Sequence, residues 1–124
     1  MKKIIYTKNA PEPIGPYSQA ILVNNTLYAS GQIAINPQTC EFADADITAQ
    51  TEQVCKNIEE ILKAADMTFD NVVKTTCFLA YISDFNKFNT VYEKYFISNP
   101  ARSCVAAKEL PKNALVEIEI IAIK

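Results

Sequence analysis

Apolar residues recur three or four positions apart after residue 53, and this spacing predicts a helix with one buried face. The residues on that face are Val54, Ile58, Ile61, Leu62 and Ala65. Asp46 and Thr48 precede the segment, and either side chain can cap a first turn by accepting a backbone hydrogen bond. We therefore expect a first helix that begins near one of these two residues.

A second helix is predicted where aromatic residues take the same spacing. Its stripe consists of Phe85, Phe88, Tyr92 and Tyr95. Ser83 offers a cap at the start, and Pro100 ends the segment because proline cannot continue a helix. We interpret the stripe as part of the core rather than as a platform for stacking nucleic-acid bases.

Six other segments have the composition or alternation of strands. Asn24 and Asn25 form a good turn between the second and third of them. The predicted strands are residues 4–6, 18–23, 26–32, 71–82, 102–108 and 115–123. The resulting order β-β-β-α-β-α-β-β predicts a single α+β domain over residues 1–124, with two helices on one face of a mixed sheet.

The last predicted strand is apolar on both of its faces. Val116, Ile118, Ile120 and Ala122 alternate onto one face, and Ile121 and Ile123 lie on the other. Two helices can cover only one face of a sheet, so the second face needs another cover. We therefore expect copies of the chain to associate through the uncovered face.

Composition excludes several classes of function. The net charge of −2 and the pI near 5.1 argue against a basic nucleic-acid surface, and no lysine cluster exceeds the pair Lys2 and Lys3. The longest apolar runs are too short to cross a bilayer. The N-terminal segment reads as a first strand and not as a signal peptide, so a cytoplasmic location is expected.

The chain has no histidine, which removes Ser-His-Asp and Cys-His catalysis and histidine-ligated zinc. Cys40, Cys55, Cys77 and Cys104 are widely spaced, and no metal site is predicted from them. Because no secretion signal accompanies them, we expect four free thiols that serve mostly as small core residues.

Arg102 is the only arginine in the chain, and it enters a largely apolar strand. A guanidinium can hold a carboxylate through two parallel hydrogen bonds, which a lysine cannot do. A buried charge without a partner destabilises a fold by about 3–5 kcal/mol. We therefore expect Arg102 to meet an anion, either a carboxylate of the protein or a ligand.

Glu117 and Glu119 share one face of the last strand. They are either partly exposed, or paired with lysines of a neighbouring strand, or one of them faces a pocket that Arg102 also reaches. In the last case the arginine would hold a substrate carboxylate and the glutamate would orient or deprotonate a water. Cys104 lies two residues after Arg102, so it is expected on the same strand face as a possible pocket wall.

Gly15 and Gly31 are the only glycines in the chain. Each predicts either a positive φ angle or the close approach of another group. The alternative is an ordinary turn at Gly15 and a bulge or strand end at Gly31.

Four segments together carry a resemblance to a known family: IGPYSQA, YASGQI, NVVKTT and PARSCVAAKELPKNALVEIEI. In this order they resemble the RidA family, also called YjgF or L-PSP endoribonuclease-like. The resemblance spans nearly the whole chain. It implies a chorismate-mutase-like α+β fold, assembled as a homotrimer with a barrel-like core and with sites in the clefts between subunits.

The same resemblance implies hydrolysis of reactive 2-imino acids, or of their enamine tautomers, to 2-keto acids and ammonia without a cofactor. Pyridoxal-phosphate dehydratases acting on serine or threonine release such imines. By position, Arg102 matches the arginine that binds the substrate carboxylate, and Glu117 matches the glutamate that positions the water. The other matched site residues are Tyr17, Ser30, Gly31, Asn89 and Cys104.

Three departures from the family pattern accompany the resemblance. Ser98 and Asn99 run directly into Pro100, which shortens a loop near the cleft. Cys40 occupies a position where glycine is common, and Asp66 with Met67 replaces a usual glycine after the first helix. Two other functions stay open: a ribonuclease or translation inhibitor, and a trimer that binds carboxylates without turnover.

Overall fold

A mixed sheet of six strands forms the body of the molecule in the computed structural model, which describes residues 1–124. The strands are β1 (Lys2–Ile5), β2 (Ala20–Val23), β3 (Thr26–Gln32), β4 (Val72–Leu79), β5 (Ala101–Ala106) and β6 (Val116–Ile123). Their spatial order is β1-β2-β3-β6-β4-β5. The β4–β5 pair is parallel and every other neighbouring pair is antiparallel, which confirms the predicted mixed sheet.

Two α-helices and three short 3₁₀ turns complete the chain: α1 (Ile47–Ala64), α2 (Phe85–Tyr95), and turns at Phe69–Asn71, Ile82–Asp84 and Pro111–Asn113. Of the two predicted caps for α1, Asp46 is correct, because its side chain accepts from the Ala49 backbone N–H at 2.9 Å. The predicted cap at Ser83 is wrong. Ser83 lies inside the 3₁₀ turn that leads into α2, and α2 begins without a side-chain cap.

Both helices pack on one face of the sheet, and the core lies between these two layers. Val116, Ile118, Ile120 and Ala122 of β6 are all buried there. Phe88 and Tyr92 of α2 are buried in the same cluster, so the aromatic stripe is part of the core as predicted. Burial of each large apolar side chain stabilises the fold by about 1.5–3 kcal/mol.

The opposite face of the sheet is uncovered within one chain. Ile4, Ile21, Tyr28 and Ile121 pair with one another across β1, β2, β3 and β6, and they form an apolar row on this face. Ile4 is 63% exposed and Tyr28 is 50% exposed. This confirms the prediction that one chain leaves an apolar sheet face open, and we call it the open face below.

Six residues other than glycine have positive φ angles, and neither glycine does. Asp66 is one of them, with φ of 57°, and it follows the end of α1. The Met67 N–H donates to Leu62 O at 2.9 Å and the Asp66 N–H donates to Lys63 O at 3.0 Å. This pair of bonds is a Schellman motif, in which the left-handed position is usually a glycine.

Candidate active site

Arg102 lies on the helix side of the sheet. In the parallel β4–β5 register it stands beside Thr75, which is fully buried beneath α2. The Thr75 hydroxyl shares a hydrogen bond of 2.7 Å with the Tyr92 hydroxyl of that helix. Side chains that stand beside each other on paired strands point to the same face, so the guanidinium is directed towards α2.

The guanidinium of Arg102 is held by one hydrogen bond and by aromatic rings. Its Nη1 donates to Asn89 Oδ1 at 2.7 Å. Its Cζ lies 4.7 Å from the ring centroid of Tyr92, 5.3 Å from that of Phe85 and 5.9 Å from that of Phe88. These distances are those of cation–π contacts.

No carboxylate of the chain pairs with Arg102. The two salt bridges of the structure join Lys63 to Glu60 and Lys94 to Glu52. Of the two expected anions, a protein carboxylate is therefore excluded within one chain. The remaining guanidinium N–H groups are available for an anion from outside it.

Residues of β5 line two clefts, Arg102 the first and Cys104 the second. The first cleft is lined by Arg102 together with Asn89, Tyr92, Glu93, Asn99 and Pro100. The second is lined by Ile82, Ser83, Phe85, Asn86 and Cys104. Cys104 stands beside Cys77 in the parallel register, two residues beyond Arg102, which confirms that it shares the arginine's face.

All four cysteines are free thiols, as predicted. Burial raises the pKa of Cys104, although the positive charge of Arg102 opposes the shift. Burial also raises the pKa of Cys77 to about 12. Both thiols therefore stay protonated near neutral pH, which makes them poor nucleophiles.

Glu117 lies on the open face, and this corrects one expectation. Within a single chain it does not share a pocket with Arg102. It stands between the buried residues Val116 and Ile118, and strand side chains alternate, so it points away from the helices. Its neighbour Phe78 on β4 is three residues beyond Thr75, which places that pair on the face opposite to Arg102.

The carboxyl group of Glu117 has a raised pKa, first because burial disfavours its charged form and second because Glu119 lies nearby. Neither glutamate forms an ion pair with a lysine, so the expected lysine pairing is wrong. Glu119 is exposed, as the partial-exposure alternative predicted.

Gly31 leaves the space that the Glu117 side chain occupies. A Cβ atom at Gly31 would clash with Glu117 Oε2, and it would lie 2.9 Å from Cδ and 3.0 Å from Cγ. The β3–β6 register also shifts between Ala29 and Gln32, so the expected close approach and the expected bulge both occur here. At Gly15 a Cβ would meet only the Tyr17 ring at 3.5 Å, which is ordinary contact.

Tyr17 and Ser30 lie near Gly31. Tyr17 is 49% exposed and lines a small cleft together with Gly31. The Ser30 hydroxyl donates to Ser18 O at 2.6 Å, and the Ser30 N–H donates to Gln19 O at 2.9 Å. These two bonds fix the end of the loop that carries Tyr17.

Gln19 organises this loop, a role that was not predicted from the sequence. Its side chain is 2% exposed. It accepts from the Thr7 N–H at 2.8 Å and donates to Thr7 O at 2.9 Å and Pro11 O at 3.0 Å. A polar residue at the start of an apolar strand was the available signal, since such a residue is buried only when its amide is hydrogen-bonded.

The site residues therefore form two groups in one chain. Arg102, Asn89 and Cys104 lie on the helix side, at the edge of the sheet formed by β5. The second group comprises Tyr17, Ser30, Gly31 and Glu117. A model of the family described as endoribonuclease L-PSP matches residues 7–124.

The chain belongs to the L-PSP endoribonuclease family. This is the family, under one of its names, that the sequence motifs indicated. A Lactococcus lactis member that carries the name of a regulator, AldR, is 56% identical over 121 residues, which cover 97% of this chain and 96% of that protein. Human 2-iminobutanoate/2-iminopropanoate deaminase is 47% identical over 125 residues, covering 100% of this chain and 91% of the human protein.

Two solved structures have the same fold as this chain. A Rid-family protein of Yersinia pestis superposes with a TM-score of 0.97 at 52% identity, covering 100% of both chains. Escherichia coli TdcF with bound serine superposes with a TM-score of 0.94 at 38% identity, covering 98% of both chains. The predicted fold class is therefore confirmed.

Neither helix of this L-PSP family member combines the length and the apolar composition that crossing a membrane requires. The structure also contains no group of three or more cysteine, aspartate or glutamate side chains that could hold a metal ion.

Proposed function

We propose that this protein hydrolyses reactive 2-imino acids to 2-keto acids and ammonia, and that it does so in the cytoplasm. The substrates would be 2-iminopropanoate, with its enamine tautomer 2-aminoacrylate, and 2-iminobutanoate. The observation that carries the proposal is Arg102, an ordered guanidinium with no carboxylate partner in its own chain. The human relative that is named for this deaminase activity supports it.

The two groups of site residues would meet between subunits of a homotrimer. Arg102 lies at the β5 edge on the helix side, whereas Glu117 lies on the open face. A second copy that covers the apolar open face would bring its own Glu117, Gly31 and Tyr17 towards the Arg102 of its neighbour. The same association would remove the apolar row of the open face from water.

The proposed chemistry needs a carboxylate clamp, a positioned water and a proton carrier, and it needs no cofactor. Arg102 would hold the substrate carboxylate, with Asn89 keeping the guanidinium in place. Glu117 would direct a water onto the imine carbon, about 3 Å away, and take its proton. The resulting carbinolamine loses its nitrogen as ammonia once that nitrogen is protonated, which leaves the keto acid.

The surroundings of Glu117 suit this proton transfer. A carboxyl whose pKa is raised above its ordinary value is a stronger base for accepting a proton from water, and it can return that proton to the leaving nitrogen. Tyr17, Ser30, Gly31 and the backbone at Cys104 would line the site and exclude bulk water. Imines of this kind are made by pyridoxal-phosphate dehydratases, so such an enzyme is the expected supplier of substrate.

A coupled assay tests the proposal. A serine or threonine dehydratase generates the imino acid in the presence of semicarbazide, which traps it as a semicarbazone. We expect the wild type to divert flux to free keto acid, and Arg102→Ala and Glu117→Ala to fail while melting near the wild-type temperature. Arg102→Lys should lose about tenfold to a hundredfold in kcat/KM, because lysine keeps the positive charge but cannot form two parallel hydrogen bonds to the carboxylate. If wild-type protein leaves the rate of semicarbazone formation unchanged, the proposal that it hydrolyses these imines is contradicted.

Binding of carboxylates without turnover is the second candidate, and the TdcF structure with bound serine favours it, since serine carries a carboxylate. Glu117 separates the two functions. A carboxylate beside a bound anion weakens binding through like-charge repulsion, so Glu117→Ala should bind carboxylates more tightly in a pure binder. In a hydrolase the same variant should bind but not turn over.

A further inference from the structure

Tyr92 is fixed from two directions. Its hydroxyl shares the 2.7 Å hydrogen bond with Thr75, whose side chain is fully buried in β4. Its ring stacks on Phe96, with centroids 4.3 Å apart and planes 20° apart. A tyrosine held at its hydroxyl and on one ring face has little freedom to move.

Arg102 lies against this fixed ring. The guanidinium carbon is closer to the Tyr92 centroid, at 4.7 Å, than to the rings of Phe85 or Phe88. Asn89 takes one N–H of the same guanidinium at 2.7 Å. Phe85, Phe88, Asn89 and Tyr92 are three, one and three residues apart along α2, so one face of one helix supplies all of these contacts.

We propose that Tyr92, anchored through Thr75, is a positioning residue for Arg102. It holds the guanidinium plane so that the N–H groups not used by Asn89 face the cleft that Arg102, Asn89 and Tyr92 line together. A long arginine side chain would otherwise lose several rotatable bonds of freedom on binding a carboxylate. This inference rests on the proposed function, in which Arg102 receives the substrate carboxylate.

The single arginine of the chain makes the orientation directly measurable. Protein grown with ¹⁵N-arginine gives one side-chain Nε signal, which needs no assignment, and its relaxation reports the mobility of the guanidinium. We expect an ordered signal in the wild type and a mobile one in Tyr92→Leu. Tyr92→Phe keeps the ring but loses the hydroxyl that bonds to Thr75, and Thr75→Val removes the same bond from the other side, so both variants should be intermediate.

Tyr95→Leu is the matched control. Tyr95 lies on the same helix, but its hydroxyl donates to Glu52 at 2.6 Å and it makes no contact with Arg102. If the effect of Tyr92→Leu were a general loosening of α2, Tyr95→Leu would mobilise the Nε signal equally. Equal mobility in the two variants would overturn the proposal, and so would a wild-type signal as mobile as that of free arginine.

The affinity of each variant for a carboxylate ligand is the second measurement. The dissociation constants of 2-oxobutanoate and of its uncharged amide are measured by calorimetry for each variant. Tyr92→Leu should weaken binding of the acid by about threefold to thirtyfold, the range of a cation–π contact, and leave the amide unchanged. Wild-type acid affinity in Tyr92→Leu would contradict the proposal.

The two proposals fail in different ways. If Arg102→Ala binds 2-oxobutanoate as tightly as wild type, the arginine is not the carboxylate receptor and the proposed function fails. If Arg102→Ala loses binding while Tyr92→Leu keeps both affinity and Nε order, only the positioning role fails. Should Tyr92→Leu not fold, Thr75→Val decides, since unchanged Nε order in that folded variant contradicts anchoring through Thr75.

Discussion

At the scale of single residues, Gly31 and Glu117 act as a pair. The missing Cβ of Gly31 is what leaves room for the Glu117 carboxyl group. We expect Gly31→Ala to displace that carboxyl and lower kcat/KM about a hundredfold, as misplacement by about 1 Å can do. The melting temperature should fall little, because the atoms met first belong to the flexible end of a side chain.

Semicarbazide-coupled kinetics and thermal melts check this expectation, with Gly15→Ala as the control because its added Cβ meets only ordinary contact. In a Glu117→Ala background, Gly31→Ala should have little further effect on the residual rate. Additive losses in the double variant would show that Gly31 acts independently of Glu117.

The charge of Glu117 should also destabilise the fold at neutral pH. Burial and Glu119 raise its folded pKa above 4.5, so the folded state favours the protonated form. The stability linked to that proton is present at low pH and is lost as the pH rises through the folded pKa. Glu117→Gln should therefore melt above wild type at pH 7.

Thermal melts from pH 4 to pH 8 check the sign of this effect. The wild-type and Glu117→Gln melting temperatures should begin to converge as the pH falls through the folded pKa of Glu117, and they should meet below its unfolded pKa, where the folded and unfolded wild type both carry the proton. Glu109→Gln serves as a control, since Glu109 is exposed and is not among the groups that shift the pKa of Glu117. A constant difference between wild type and Glu117→Gln at all pH values would contradict the argument.

At the scale of elements, the end of α1 carries strain that glycine would relieve. Asp66 adopts φ of 57° in the Schellman motif, a conformation that disfavours residues with a Cβ by about 1–2 kcal/mol. We expect Asp66→Gly to raise the free energy of unfolding by about 0.5–1 kcal/mol, after the greater entropy of glycine in the unfolded chain is subtracted.

Urea denaturation measures this change directly. Ala65→Gly is the neighbouring control, because Ala65 has φ of −102° and gains nothing from glycine. That control should lose stability where Asp66→Gly gains it. A loss in both variants would mean that the Asp66 side chain contributes more than its backbone strain costs.

The helices and the last strand were predictable because their patterns are local. The spacing of apolar residues predicted α1, and the alternation from Val116 to Ala122 predicted which face of β6 is buried. The parallel β4–β5 pairing and the separation of Arg102 from Glu117 were not predictable, since the face of each side chain depends on registers between strands far apart in sequence. The missed 3₁₀ turn before α2 likewise depends on tertiary packing and not on the Ser83 capping signal.

At the scale of the whole molecule, the open face predicts association. Tyr28 lies in the middle of the apolar row and pairs with Ile21 on one side and Ile121 on the other. We expect the wild type to sediment as a trimer and Tyr28→Glu to dissociate, because a buried unpaired carboxylate would oppose contact between copies. Analytical ultracentrifugation over a range of concentrations measures both states.

Ile97→Glu is the control for surface charge, because Ile97 is 63% exposed and follows α2 rather than lying on the open face. It should remain trimeric. A Tyr28→Glu variant that stays trimeric would show that the copies meet through another surface.

The placement of Arg102 and Glu117 on opposite faces has a genetic consequence. If every site takes its arginine from one copy and its glutamate from the next, damage in one copy is not confined to that copy. Arg102→Ala and Glu117→Ala would each be inactive alone, yet refolding the two together should restore part of the turnover. A cell with two differently defective alleles would then survive imine stress better than a cell with either allele alone.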